Sequence, residues 1–187
     1  MARKPKKFKV EVLHTERLLL RPITMKDARD IFAYASDPEV TKYVRFVTHK
    51  SIKDTHAFIR RVQSSYRKGI TPVWGIQLKE TGRMIGATGF LQWPNPDQRA
   101  ELGYVINRNF WGNGYVTEAA KAVCDFAFKK MNVNRIEAQA FVEQKASQRV
   151  LEKVGFKFEG ILRQREFIKG SFVNETMYSL LVSDLAK

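Results

Sequence analysis

Between an alternating stretch and an amphipathic one, the chain carries the turn Asn109, Phe110, Trp111, Gly112, Asn113, Gly114, Tyr115. Two glycines there would let backbone amides come close to a ligand. If a helix starts at Tyr115, its first N–H groups lack partners and its dipole adds about half a positive charge, so a pyrophosphate is a fitting guest. Thr117 would add a hydroxyl donor. The same glycines would equally serve a tight turn with positive φ at both positions. A P-loop needs lysine and a hydroxyl directly after its second glycine, where Tyr115 and Val116 stand. A dinucleotide fingerprint needs glycine at Thr117.

Three further side chains could do acid–base work. Ser147, Val150, Leu151 and Val154 recur at helical spacing, so a hydroxyl opens an apolar stripe; it could also bond its own backbone. Glu166 shares a strand face with Leu162, Gln164 and Ile168, a half-apolar setting that raises a carboxyl pKa. Glu101 shares its face with Gly103 and Val105. Either glutamate would also serve as an ion-pair partner for Arg163, Arg165 or Arg99. Cys124 falls mid-helix with no histidine near it in sequence and reads as a small buried hydrophobe, not a nucleophile. His49 and His56 read as surface histidines, and one cysteine with three histidines provides neither a disulfide nor a zinc site of usual spacing. No metal is expected.

The elements that must hold these residues follow from periodicity. Residues 1–10 read as a basic tail, and 11–187 as one domain. A strand is expected from Glu11 to Ile23. Two helices follow, each opened by a capping box: Thr24 with Asp27, and Ser51 with Asp54, the second stopped by Gly69. Strands are expected at Val73–Leu78, Met84–Trp93 (broken by Pro94, Asn95 and Pro96) and residues 99–106, the last with Leu102, Tyr104 and Ile106 opposite Glu101, Gly103 and Val105. A helix over 115–130 buries Val116, Ala119, Ala120, Val123 and Ala127. A strand at Arg135–Val142, a helix at Ala146–Val154 and a final hairpin turning at Lys169 and Gly170 complete about seven strands and four helices in one α/β (α+β) domain.

Over 187 residues the chain is 44% hydrophobic and 28% charged, which excludes wholesale disorder and a disulfide scaffold. It holds no apolar run long enough for a membrane span and no signal-like N-terminus, so a cytoplasmic protein without membrane contact is expected. Its 33 basic and 19 acidic residues give a net charge of +14. Such a field solubilises, and it also favours polyanions such as RNA, a ribosome or a phosphorylated cofactor.

The runs ELGYVINRNFWGNGYVTEAA (Glu101–Ala120) and SQRVLEKVGF (Ser147–Phe156), with TERLLLRPI from Thr15, resemble the GNAT superfamily of acetyl-CoA-dependent N-acetyltransferases. Within it they are similar to the branch that acetylates N-terminal amines of ribosomal proteins (RimJ/RimL type). The resemblance implies a mixed seven-stranded sheet splayed in the middle, with acetyl-CoA in the opening and its pyrophosphate on Trp111, Gly112, Asn113, Gly114, Tyr115 and Val116. Trp111 and Val116 depart from the polar first and small last residues of the superfamily turn, which leaves them only backbone amides to offer. Val105 and Ile106 would line the pantetheine arm with backbone, and amides near Val105 would polarise the thioester carbonyl.

By the same resemblance, Ser147 matches the serine beside the CoA sulfur that protonates the departing thiolate. Gln144 replaces a usual asparagine in a shortened loop and would take its place as a CoA contact. Glu166 matches the general base, and Glu101 lies on the strand where related enzymes use a glutamate through a water. The implied reaction is direct attack by an N-terminal amine in a ternary complex, without an acyl-enzyme, by a monomer or homodimer. The competing readings are an acetyltransferase for a polyamine, an aminoglycoside or an amino acid, and a non-catalytic CoA- or RNA-binding module.

Overall fold

A computed structural model describes residues 9–70, 72–91, 93 and 96–185. The tail through Phe8 and the break at Pro94 and Asn95 lie outside the described residues; Val10, at the expected tail boundary, packs into the core. The stretch expected as one strand from Glu11 to Ile23 folds back on itself. The Thr15 hydroxyl accepts from the Leu18 amide at 3.0 Å and the Thr15 amide donates to the Leu18 carbonyl at 3.1 Å, closing a turn between β1 (Leu13–His14) and β2 (Leu18–Arg21). This adds an eighth strand.

Both capping boxes form. Thr24 and Asp27 close a 3-10 turn that leads into α1 (Ala28–Ala35), and Ser51 and Asp54 open α3 (Ile52–Lys68), which Gly69 ends at φ 66°. Between them lies a helix that periodicity did not reveal, α2 (Pro38–Thr41). Its signal is local: the Asp37 side chain accepts from the Glu39 amide at 3.0 Å, and Pro38 occupies the first turn. The remaining elements are β3 (Val73–Leu78), β4 (Met84–Leu91), β5 (Arg99–Ile106), α4 (Tyr115–Lys130), β6 (Arg135–Phe141), α5 (Lys145–Val154), β7 (Lys157–Ile168) and β8 (Ser171–Leu181). They agree with expectation to within one or two residues at most ends.

The strands form one sheet in the order β1-β2-β3-β4-β5-β6-β8-β7, and β5–β6 is its parallel pair. That pair is short. Arg99, Ala100 and Glu101 meet Arg135, Ile136 and Glu137, and beyond these rungs the two strands part. The sheet therefore opens between the second half of β5 and the second half of β6. Each face has its own core. Leu102, Ile106 and Ile136 pack with α4, with Leu151 of α5 and with Trp74 and Phe90, whereas Ile23, Met84 and Ala87 pack with Ile31 and Tyr34 of α1 and Ile59 and Val62 of α3. The alternation of β5 sends Tyr104 to the first face and Val105 to the second, as its sequence predicts. Gly86 of β4 is a glycine by necessity, because a Cβ there would collide with the Val105 carbonyl oxygen.

Candidate active site

The turn at 107–114 joins β5 to α4. The Asn107 side chain accepts from the Asn109 amide at 3.0 Å and starts a 3-10 turn over Arg108–Phe110. Gly112 and Gly114 then adopt φ of 79° and 77°. Gly114 is the N-cap of α4 and brings no capping side chain. The first helical bond runs from the Glu118 amide to the Gly114 carbonyl at 3.0 Å. The N–H groups of Gly114, Tyr115, Val116 and Thr117 thus precede the first helical bond, at the positive end of the dipole. A Cβ at Gly112 would meet nothing within 4 Å, so the turn presents bare backbone to open space.

Two expected contributions differ. The Trp111 amide donates to the Arg108 carbonyl at 3.1 Å, so it is already engaged, and the indole N–H donates to the Ile106 carbonyl at 3.1 Å. The Asn107 amide bonds the Ile85 carbonyl at 2.8 Å, and the antiparallel alternation counted back from it points the Val105 backbone at β4 and those of Ile106 and Tyr104 at the opening. Of the expected pair, Ile106 is therefore the one whose backbone faces the gap.

A cation not expected from the sequence stands at the turn. Arg17, which precedes β2, donates from Nη1 to the Asn113 carbonyl at 3.0 Å and from Nε to Glu118 at 2.7 Å, and its guanidinium lies 4.5 Å from the centre of the Tyr115 ring. It offsets the Glu118 charge within the first turn of α4. Burial pushes the Glu118 pKa up, but hydrogen bonds from Thr15 and Arg17 outweigh that and hold it below its ordinary value.

On the α4–α5 face, Ser147 lies in the first turn of α5 and is 8% exposed. Its Oγ pairs with the Tyr104 hydroxyl at 2.7 Å. The serine thus looks across to the edge of the opening. Burial pushes the Tyr104 pKa up to about 12, so the phenol keeps its proton. Tyr104 was legible only as a strand residue. Gln144 is the N-cap of α5 and makes no side-chain cap; its carbonyl accepts from the Ser147 amide at 3.1 Å.

On the opposite face the two candidate glutamates converge on one arginine. Arg45 lies between α2 and α3; it donates from Nη1 to Glu101 at 2.7 Å, from Nε and Nη2 to Glu166 at 2.7 and 3.0 Å, and from Nη2 to Gln139 of β6 at 3.0 Å. Glu101 is 5% exposed, while the side chains of Glu166 and Arg45 are 31% and 40% exposed. The setting of Glu166 is therefore an ion pair and not the half-apolar face expected. The irregular register between Leu162 and Glu166, with Gln164 at φ 48°, interrupts the alternation on which that expectation rested.

A third carboxyl completes the group. Glu175 of β8 is 3% exposed, and its Oε1 lies 4.0 Å from Arg45 Nη2. Burial is the largest influence on it and, reinforced by Glu166 and Glu101 and opposed by Arg45 and Arg165, raises its pKa above the ordinary 4.5. A carboxyl raised in this way costs nothing below about pH 4.5, where it is protonated folded and unfolded, and subtracts from stability as pH climbs through its folded value. Glu175→Gln is therefore expected to raise Tm near pH 8 and leave it unchanged near pH 4, in parallel thermal melts.

Two other residues are not at this site. Cys124 is buried in α4 and burial raises its thiol pKa, consistent with the hydrophobe expected. His49, expected at the surface, is buried between Phe46 and Phe58 with Nδ1 2.9 Å from the Thr55 hydroxyl. Among the described residues no group of three or more His, Cys, Asp and Glu could hold a metal, and no helix is long and apolar enough to cross a membrane.

Comparison with known proteins agrees with this architecture. The chain is 37% identical over 177 residues to an uncharacterized N-acetyltransferase, p20, of Bacillus licheniformis, covering 95% of this chain and 99% of that one. An acetyltransferase (GNAT family) from Bacillus anthracis superposes with a TM-score of 0.81 at 28% identity, over 91% of this chain and 98% of that one. RimL, a ribosomal L7/L12 alpha-N-protein acetyltransferase solved with coenzyme A, shares the fold with a TM-score of 0.83 at 17% identity, over 93% and 99% of the two chains. Residues 17–157 match the acetyltransferase (GNAT) domain, and the chain belongs to this family of N-acetyltransferases.

Proposed function

We propose that the protein transfers the acetyl group of acetyl-CoA to a primary amine, the N-terminal α-amine of a ribosomal protein, by direct attack in a ternary complex. One observation carries this reading: a hydroxyl pair, Tyr104–Ser147, on one face of the sheet and a carboxylate group, Glu101 and Glu166 on Arg45, on the other, with the β5–β6 opening between them. Acetyl-CoA supplies an activated acyl thioester. The bare backbone of Gly112 to Thr117 suits its diphosphate, with Asn113 in the turn and Arg17 cancelling the Glu118 charge beside it, and the Ile106 backbone faces the pantetheine path.

Glu166 takes a proton from the incoming ammonium, whose ordinary pKa of about 7.7–8.0 leaves much of it charged at neutral pH. Glu101 is the alternative proton acceptor. Ser147, oriented by Tyr104, hydrogen-bonds the departing sulfur and relays to it the second proton that the attacking nitrogen sheds as the C–S bond breaks, so its hydroxyl is restored. The net charge of +14 supports a cytoplasmic partner rich in RNA, because a long-range positive field attracts such particles.

The carboxylate group itself favours a second reading, in which the acceptor is a small cationic amine. Acetyl-CoA turnover with a panel of ribosomal-protein N-terminal peptides beside polyamines, aminoglycosides and amino acids separates the two, together with mass spectrometry of ribosomal proteins from cells with and without the gene. Peptide turnover and a lost N-terminal acetyl group are expected. An unchanged acetylation pattern with small-amine turnover supports the second reading, and no turnover with any acceptor would leave a CoA-binding module.

A further inference from the structure

Three carboxyls, Glu101, Glu166 and Glu175, gather around the Arg45 guanidinium, and with Arg165 as the second cation bearing on Glu175 they still outnumber the positive charges by one. Arg45 directs its N–H groups to Glu101, Glu166 and Gln139. Glu175 stands 4.0 Å away, beyond hydrogen-bond reach. Its Oε2 is one of two buried side-chain polar atoms with no hydrogen-bond partner among the described residues. Buried carboxylate oxygens rarely lack a donor in native proteins. As a structural tie across the opening, Arg45 accounts for Glu101, Gln139 and Glu166, each of which it bonds. It does not account for Glu175, where an apolar residue would fill the same place without an orphaned oxygen.

Position points the same way. Glu175 pairs with Phe141 of β6 and Leu162 of β7, and cross-strand partners share a face, so it stands beside the part of β6 that β5 has left. Tyr43, two residues before Arg45, packs on Phe141 with ring centroids 5.4 Å apart and walls that corner. We propose that Glu175, framed by Glu101 and Glu166, holds the acceptor's ammonium ion, a primary alkylammonium supplying to Oε2 the donor that Arg45 does not.

The proposal deepens the function proposed above and rests on its premise that the acceptor is an amine. A bound ammonium brings the missing positive charge and up to three N–H donors. Transfer of its proton to Glu166 gives R–NH2 and a neutral Glu166 carboxyl. That removes the charge attraction to Glu175 and frees the nitrogen lone pair to attack. The other charged groups bearing on Glu175 are Arg45, Arg165, Glu101 and Glu166, two of each sign, so the seat discriminates by local charge and not by the field of the whole protein.

The test uses the full chain with 13C-labelled glutamate carboxyls, the Glu175 resonance being assigned by its loss in Glu175→Gln. Titration with n-butylammonium is expected to shift that resonance saturably, and n-butanol at matched ionic strength to leave it in place. For whichever amine the wild type acetylates, Glu175→Gln is expected to lower kcat/KM roughly 10- to 100-fold, mainly through KM, the cost of one charge-assisted hydrogen bond, with CoA affinity unchanged. No shift with butylammonium, an equal shift with butanol, or a wild-type KM in the variant overturns the proposal. A butylammonium response without peptide acetylation keeps the ammonium seat and rejects the peptide acceptor. Peptide acetylation with unaltered KM in the variant does the reverse.

Discussion

Glu166→Gln is expected to lower turnover roughly 100-fold or more, the usual contribution of a positioned general base, while CoA affinity stays within about twofold. The side chain is on the face proposed for the acceptor, away from the turn at 107–114, and the amide keeps its shape and one oxygen for Arg45. What it loses is the ability to take a proton. The defect should shrink above about pH 9, where the acceptor amine is already neutral in solution. Initial rates from pH 6.5 to 9.5 with the same amine check both points. A wild-type rate at neutral pH would move the base to Glu101, which Arg45 holds at the same distance, 2.7 Å.

Gly112→Val is expected to weaken CoA binding by about 100-fold or more, equivalent to roughly 2.7 kcal/mol. In the free protein a Cβ at this position meets nothing within 4 Å, so the side chain would project into open space and no neighbour would be displaced. The cost to the fold is backbone strain at φ 79°, about 1–2 kcal/mol for a residue with a Cβ, or a fall in Tm of roughly 2–8 °C for a chain of this size. A folded variant that has lost CoA, measured by calorimetry beside a melt, is the anticipated result. Unaltered affinity would mean that the diphosphate lies elsewhere.

Much of the scaffold was legible because it rests on local rules. The two capping boxes, the glycine stop after Lys68, the alternation of β5 and the apolar stripe of α4 each depend on neighbours close in sequence. The extra strand was missed because the Thr15 side chain closes a turn inside a run of strand formers, and α2 because a one-turn helix has no period to detect. The site was legible in part. Glu101, Glu166, Ser147 and the paired glycines carry chemistry in types and spacings that a sequence displays. Arg45, Tyr104 and Glu175 do not: one is an arginine among 33 basic residues, and the others are strand residues whose partners lie far away in the chain. Only folding reveals that Arg45 and Glu166, 121 residues apart, share a proton-rich contact.

The three-rung junction between β5 and β6 has a mechanical corollary. Strands β1–β5 form one plate and β6–β8 another, joined by this three-rung seam and by the core that α4 and α5 share with both. Arg45 is a clasp near that seam, reaching from the segment before α3 to β6 and β7 of the second plate. A cosubstrate lodged in the gap, as proposed above, would add a second fastening and so bear on the spacing of the acidic side chains.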